Sequence, residues 1–168
     1  MEKSLGSKDK EREALLCDIK ADKDGITSLD GYVKELFELE DVDSGTYSPL
    51  VFAYIGDSVY DLMVKSIVIN KGNRQVQKLH HDSSALVCAS AQSLMMREIQ
   101  KHLTETEQGI YRRGRNSKTV TPAKNQSITD YRRATGFEAL VGYLYLNQEY
   151  ERLTELIKIG LDSLDQRG

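Results

Sequence analysis

Apolar residues recur along the chain at helical spacing, and two runs stand out because their apolar positions go all the way round. The first is Ser48 to Gly72, SPLVFAYIGDSVYDLMVKSIVINKG. Ser48 suits an N-cap and Pro49 the first helical position, where its missing N–H costs nothing. Lys71 and Gly72 supply a cationic last turn and a left-handed cap. From Pro49 to Tyr60 the residues are apolar on every side except at Asp57, which predicts a helix buried in the middle of a domain. The second run opens at Ser127, with Asp130 as its capping-box partner, and reaches about Leu146. From Ala134 onwards its one charge is Glu138.

Shorter amphipathic patterns fill the rest. Residues 11–20 and 31–40 each predict a short helix, with a loop between them. Asn73 caps a short helix to about His80, and Asp82 or Ser83 starts another to about His102. Thr104 and Glu107 form a capping box that opens the helix TETEQGIYRRG. Residues 114–126, GRNSKTVTPAKNQ, are polar and predict a loop. Tyr150, Leu153, Leu156, Ile157 and Leu161 mark a last helix to about Leu164. Strand signals are nearly absent, so the fold class is all-α, a helical bundle. We divide the chain into an acidic N-terminal extension, 1–44, and one helical domain, 45–168.

Charge changes this picture more than length does. The 168 residues carry a net charge of −3, but residues 1–44 carry −6 and residues 45–168 carry +3. The positive charge gathers in 112–133, where Arg112, Arg113, Arg115, Lys118, Lys124, Arg132 and Arg133 face Asp130 alone. A basic patch on an acidic protein points to a local polyanion contact. The arginines and lysines can grip phosphates, and Asn116 and Asn125 can reach hydroxyl groups. Any one of these arginines taken alone is more often a solvated surface charge; the clustering argues for the group. Arg74, Lys78 and His81 offer a secondary patch.

Several function classes drop out. No apolar run reaches membrane-span length, and MEKSLGSKDKERE has no signal-peptide core. Cys17 and Cys88 stand apart, which predicts reduced thiols and a cytoplasmic setting. Adjacent His80 and His81 point about 100° apart on a helix and cannot chelate one ion together. GDSVY lacks the second glycine of a nucleophile elbow, and no phosphate-binding glycine loop is present.

The remaining chemistry rests on Asp57 and Glu138. Each is the sole charge in about a dozen apolar helical residues, and each has a glycine within two positions, Gly56 and Gly136. A helical glycine costs about 1 kcal/mol against alanine, which makes sense where another helix comes close. Packing the two apolar helices together would bring the carboxylates together. A buried pair without counter-charge repels, and a hard divalent cation such as Mg²⁺ or Mn²⁺ resolves the repulsion. The alternative is that each carboxylate pairs with an arginine or caps a neighbouring helix. On spacing alone both readings stand. Asp61 and Asp130 lie near enough in register to join such a site or to sit at its solvated edge.

The same residues carry a family resemblance. YIGDSVYD resembles the signature helix of the ribonuclease III catalytic domain, and ATGFEALVGYLYL is similar to that family's second signature. RRGRNSK, PAKN and TGFEALVGYLYL together resemble its Mini-III subgroup, a catalytic domain without an attached double-stranded-RNA-binding domain; the chain's end at Gly168 agrees with that. The resemblance covers about Tyr47 to Leu164. It implies an all-helical, homodimeric endonuclease that cuts double-stranded RNA with Mg²⁺, Mn²⁺ substituting. Asp57 and Glu138 take the positions of the catalytic metal ligands, and Tyr54 that of the aromatic that pairs two subunits. It further implies maturation of precursor large-subunit ribosomal RNA in a cytoplasm, assisted by a ribosomal protein. Two of the four acids of full-length members are absent, at Ala53 and Thr135, so a two-metal mechanism is not implied. That loss also leaves open a non-catalytic, ribosome-associated RNA-binding module of the same fold.

Overall fold

A computed structural model of the chain describes residues 28–117 and 127–166. The chain divides into two units between Asp43 and Ser44. In the first, α1 (Leu29–Leu36) starts where the Ser28 hydroxyl accepts a hydrogen bond from the Gly31 N–H at 3.1 Å. An Asp30–Lys34 ion pair one turn apart supports it. It buries no residue, and Phe37 just beyond it is two-thirds exposed. The helix expected over 31–40 thus lies earlier and ends at Leu36; the one expected over 11–20 falls outside the described residues.

In the second unit the described residues form six α-helices and no strand. These are α2 (Pro49–Asn70), α3 (Val76–Val87), α4 (Ala89–Ile99), α5 (Glu105–Asn116), α6 (Ile128–Leu146) and α7 (Tyr150–Asp165). Helices α2 and α6 form the most extensive pair, with α4 and α5 also on α6, α7 on α4, and α3 along α2. The core lies between them, around Tyr60, Met95, Met96, Phe137, Leu140 and Leu156. Edge-to-face contact of Tyr60 on Phe137, 4.8 Å between ring centres, ties α2 to α6.

The caps follow local sequence. Ser48 accepts from the Val51 N–H with Pro49 at the first position, and both halves of the Thr104–Glu107 capping box are made. At α6 only half a box forms. Ser127 caps the Asp130 N–H, while the Asp130 carboxylate accepts from the Ser93 hydroxyl at 2.6 Å. The expected start at Asp82 or Ser83 does not occur: α3 runs through both and the chain breaks at Cys88, in extended conformation. Bonds to nearby residues decide this. Asp82 pairs with Arg74 at 2.6 Å, and the Ser83 hydroxyl donates to the His80 carbonyl, so neither is free to cap.

Two glycines set the distance between the central helices. A β-carbon on Gly56 would overlap the Glu138 carbonyl, and one on Gly142 would overlap the Phe52 carbonyl. Backbone meets backbone at the level of the two carboxylates. Gly136 serves a different neighbour, making room for the Tyr111 ring of α5. The expectation that α2 is buried all round is corrected. Phe52, Gly56, Tyr60 and Val64 are buried, but Tyr54 is 81 % and Leu62 59 % exposed, with Leu50 and Val51 also open. One apolar face of α2 is covered by α6, and among the described residues of this unit nothing covers the face that carries Leu50, Val51, Tyr54 and Leu62.

Candidate active site

Asp57 and Glu138 meet across the α2–α6 contact. Gly56 lies against the Glu138 backbone, and the Asp57 charge is close enough to raise the proton affinity of Glu138. Glu138 is largely buried. Desolvation, and then the Asp57 charge, push its carboxyl pKa up to about 7, against the lowering effect of the Gln92 amide beside it. Asp57 itself is exposed, which corrects the picture of two equally sunken acids. The site therefore has a buried wall, Glu138, and a solvent-facing lip, Asp57.

The arginine-paired alternative finds its example elsewhere, at Glu107. That carboxylate is 4 % exposed, receives Arg152 Nε at 2.8 Å and Nη2 at 3.0 Å, and accepts the Thr104 N–H at 2.8 Å. Among the described residues no such partner is recorded for Asp57 or Glu138. Of the other nearby acids, Asp61 pairs with Lys65 at 2.6 Å and Asp130 with Ser93, so both are engaged outside the pair.

The donor set suits a hard cation held mostly by water. Among the described residues no group of three or more His, Cys, Asp and Glu gathers in ligand geometry, so two carboxylate oxygens are the protein's charged contribution. Ala53 is buried against the second, smaller core, and the Thr135 hydroxyl donates to the Tyr131 carbonyl in its own helix. Neither position offers a ligand. Against the pair stands one orphaned polar atom: Gln92 is 1 % exposed and its Oε1 has no hydrogen-bond partner. An unpaired buried acceptor on a side chain beside Glu138 fits a hydrated cation better than a closed structural pair.

Gln92 was missed in the sequence. The signal was there: it stands at i−3, i−4 and i−7 from Met95, Met96 and Ile99, a polar residue at the head of an apolar stripe.

The basic residues sit where α5 ends and α6 begins. Arg112, Arg113, Arg115, Asn116 and Arg132 are exposed and Arg133 half-buried. Arg115 and Arg133 both act on the Tyr111 hydroxyl, so basic side chains of α5 and α6 share one patch. The described ion pairs engage Lys34, Lys65, Arg74, Lys101, Arg152 and Lys158, none of this group. Lys118, Lys124 and Asn125 lie outside the described residues. In the expected secondary patch Lys78 and His81 are exposed, but Arg74 is spent inside the fold on Asp82 and the Val68 carbonyl.

Tyr54 stands on the open face of α2, and a cavity of about 360 Å³ opens against the next turns of the same helix. Its walls include Ile55, Leu62, Met63 and Tyr150, and the buried Tyr150 hydroxyl has no partner. No helix of the described residues is long and apolar enough to cross a membrane.

Comparison with known proteins covers the same region. The sequence profile described as "Ribonuclease III domain" matches residues 50–149. The Mini-ribonuclease 3 of Clostridium tetani is 49 % identical over 71 % of this chain and 80 % of its own length. That of Thermoanaerobacter sp. is 42 % identical over 71 % and 84 %. Among solved structures, a crystal structure of a Fusobacterium nucleatum protein superposes with a TM-score of 0.65 at 29 % identity, covering 71 % of this chain and 97 % of that one.

Proposed function

The chain belongs to the ribonuclease III family and groups with the Mini-ribonuclease 3 proteins, and from that premise we propose that it cuts double-stranded RNA using one Mg²⁺ held by Asp57 and Glu138. Membership makes it an endoribonuclease. The observation that carries the finer reading is the carboxylate pair itself: two acids brought together by glycine contact, one with its pKa near 7, and no cationic side chain recorded between them among the described residues.

When bound, the cation neutralises the scissile phosphate and acidifies a water, the work that a phosphodiester hydrolysis requires. The chain's residues prepare this. Glu138 is desolvated and holds its proton until a positive charge takes its place, so cation affinity rises as pH climbs through about 7. Asp57, at the lip, binds where the phosphate arrives. Arg112, Arg113, Arg115, Arg132 and Arg133, with Asn116, hold the backbone of an A-form duplex, whose base edges are hidden in a deep groove. Lys118, Lys124 and Asn125 complete that set in our reading.

A second copy of the chain covers the open face of α2, with Tyr54 entering the apolar cavity beside the partner's signature helix. Exposed Leu50, Val51, Tyr54 and Leu62 on one helix face support this. Two sites in such a homodimer address opposite strands. The substrate we assign is precursor large-subunit ribosomal RNA in the cytoplasm, with a ribosomal protein as helper, and Mn²⁺ as a substitute for Mg²⁺.

The test is cleavage of a labelled RNA duplex with Mg²⁺ by wild type and Asp57→Asn. Wild type cuts, and Asp57→Asn loses about a thousandfold in rate, equivalent to about 4 kcal/mol of transition-state stabilisation, while retaining RNA binding. Equal cutting by both sinks the metal-site assignment. RNA binding without cutting by wild type would instead favour the ribosome-associated binding module.

A further inference from the structure

Helix α4 starts one residue after the break at Cys88, and Gln92 lies on its first turn facing inward. The Val87 carbonyl, stranded at the end of α3, accepts from Gln92 Nε2 at 3.2 Å. A carbonyl can only accept, so this bond fixes which end of the amide is nitrogen. Oε1 is then a buried acceptor with no donor in the protein. The carboxamide lies beside the Glu138 carboxyl.

A structural glutamine here would be a poor choice. Burying an unpaired amide oxygen is unfavourable, and its neighbours along the stripe, Met95, Met96 and Ile99, show that apolar side chains pack well on this face. The next residue, Ser93, is fully paired to Asp130, so α4 is already fastened to α6 without Gln92. The amide that carries this orphan lies beside Glu138, one of the two carboxylates read as holding a hydrated cation, and hydration water is a donor.

We propose that Gln92 is a positioning residue for the cation site: its amide orients the Glu138 carboxylate, and its free oxygen accepts a hydrogen bond from the cation's hydration shell. This rests on the reading of Asp57 and Glu138 as a metal pair. The stranded Val87 carbonyl anchors the amide from behind. Outer-shell groups of this kind set ligand orientation and are worth about 10- to 100-fold in metal affinity.

Mn²⁺ binding to metal-free protein, followed by calorimetry, tests this without reference to cleavage. Wild type, Gln92→Met, Gln92→Leu and Asp57→Asn are compared, with thermal unfolding of each metal-free protein alongside. Both Gln92 variants bind Mn²⁺ at least about tenfold more weakly than wild type and unfold at nearly the wild-type temperature, since removing the unpaired oxygen offsets the lost bond to the Val87 carbonyl. Wild-type affinity in either folded variant overturns the inference while leaving the metal pair intact. Weak binding with lowered unfolding temperature in both also overturns it, because packing then explains the loss. If wild type fails to bind Mn²⁺, or Asp57→Asn binds as wild type does, it is the metal-pair reading that falls, and this inference with it.

Discussion

Glu107 and Glu138 are both acids drawn into the interior of the helical domain, and the fold treats them in opposite ways. Glu107 is met by a forked arginine and the Thr104 N–H, and its pKa is lowered, chiefly by the Arg152 hydrogen bond. Glu138 meets desolvation, a second carboxylate and one amide, and its pKa rises to about 7. The first is a finished contact that joins α7 to the start of α5. The second has no such partner among the described residues, which is what the proposed cation site requires. An acid buried for stability comes with its partner; an acid left short of one is a candidate for chemistry.

The largest effect expected from breaking this contrast is on stability. Arg152→Met strands Glu107 in the interior and lowers unfolding free energy by about 3 kcal/mol in urea titration. Glu138→Gln, by contrast, removes a repulsion and costs nothing in metal-free protein at pH 8. A loss as large as that of Arg152→Met would erase the distinction between the two sites.

Gly56→Ala comes next. Its β-carbon overlaps the Glu138 carbonyl, so α2 is forced off α6, at about 1–3 kcal/mol by the measure of overpacked cores. Cleavage should fall further than stability does, because the carboxylates separate. Unchanged activity in a destabilised Gly56→Ala protein would show that their spacing is not set by this contact.

The pH dependence is smaller and has opposite signs at the two sites. Folding favours neutral Glu138, so its contribution is complete below its ordinary value of 4.5 and is lost as pH rises through about 7. Folding favours charged Glu107, so its contribution holds above its ordinary value and is lost as pH falls through the lowered one. Metal-free wild type should thus lose stability relative to Glu138→Gln between about pH 5 and about pH 8 in thermal scans. Parallel curves would mean that Glu138 is not held neutral.

The least effect on the fold is expected from the exposed basic patch. Arg112→Ala with Arg113→Ala leaves the unfolding temperature unchanged and lowers the salt slope of RNA binding by about 2, one per phosphate contact. An unaltered slope would remove these two arginines from the RNA interface.

Much of this was legible because it is local. The long helices, the Ser48 and Thr104 caps and the sole acids Asp57 and Glu138 are patterns within one helix, where spacing and propensity suffice. The break at Cys88 was not legible, because Asp82 and Ser83 look like caps until Arg74 and the His80 carbonyl claim them. The exposure of Asp57 was hidden for a different reason. An all-round apolar helix looks the same whether its second face is covered by its own chain or left open.

The sequence by itself determined that the domain is helical, that two of its helices are apolar with one acid each, and that basic charge gathers between the last turn of α5 and the first of α6. Only the tertiary structure decided which glutamate is neutralised and which is not, that Gly56 and Gly142 bring backbones into contact at the acids, and that Gln92 lies beside Glu138 with an oxygen unpaired. These depend on groups far apart in the chain. Their energies come from desolvation and charge at close range, which no residue carries until the helices have packed.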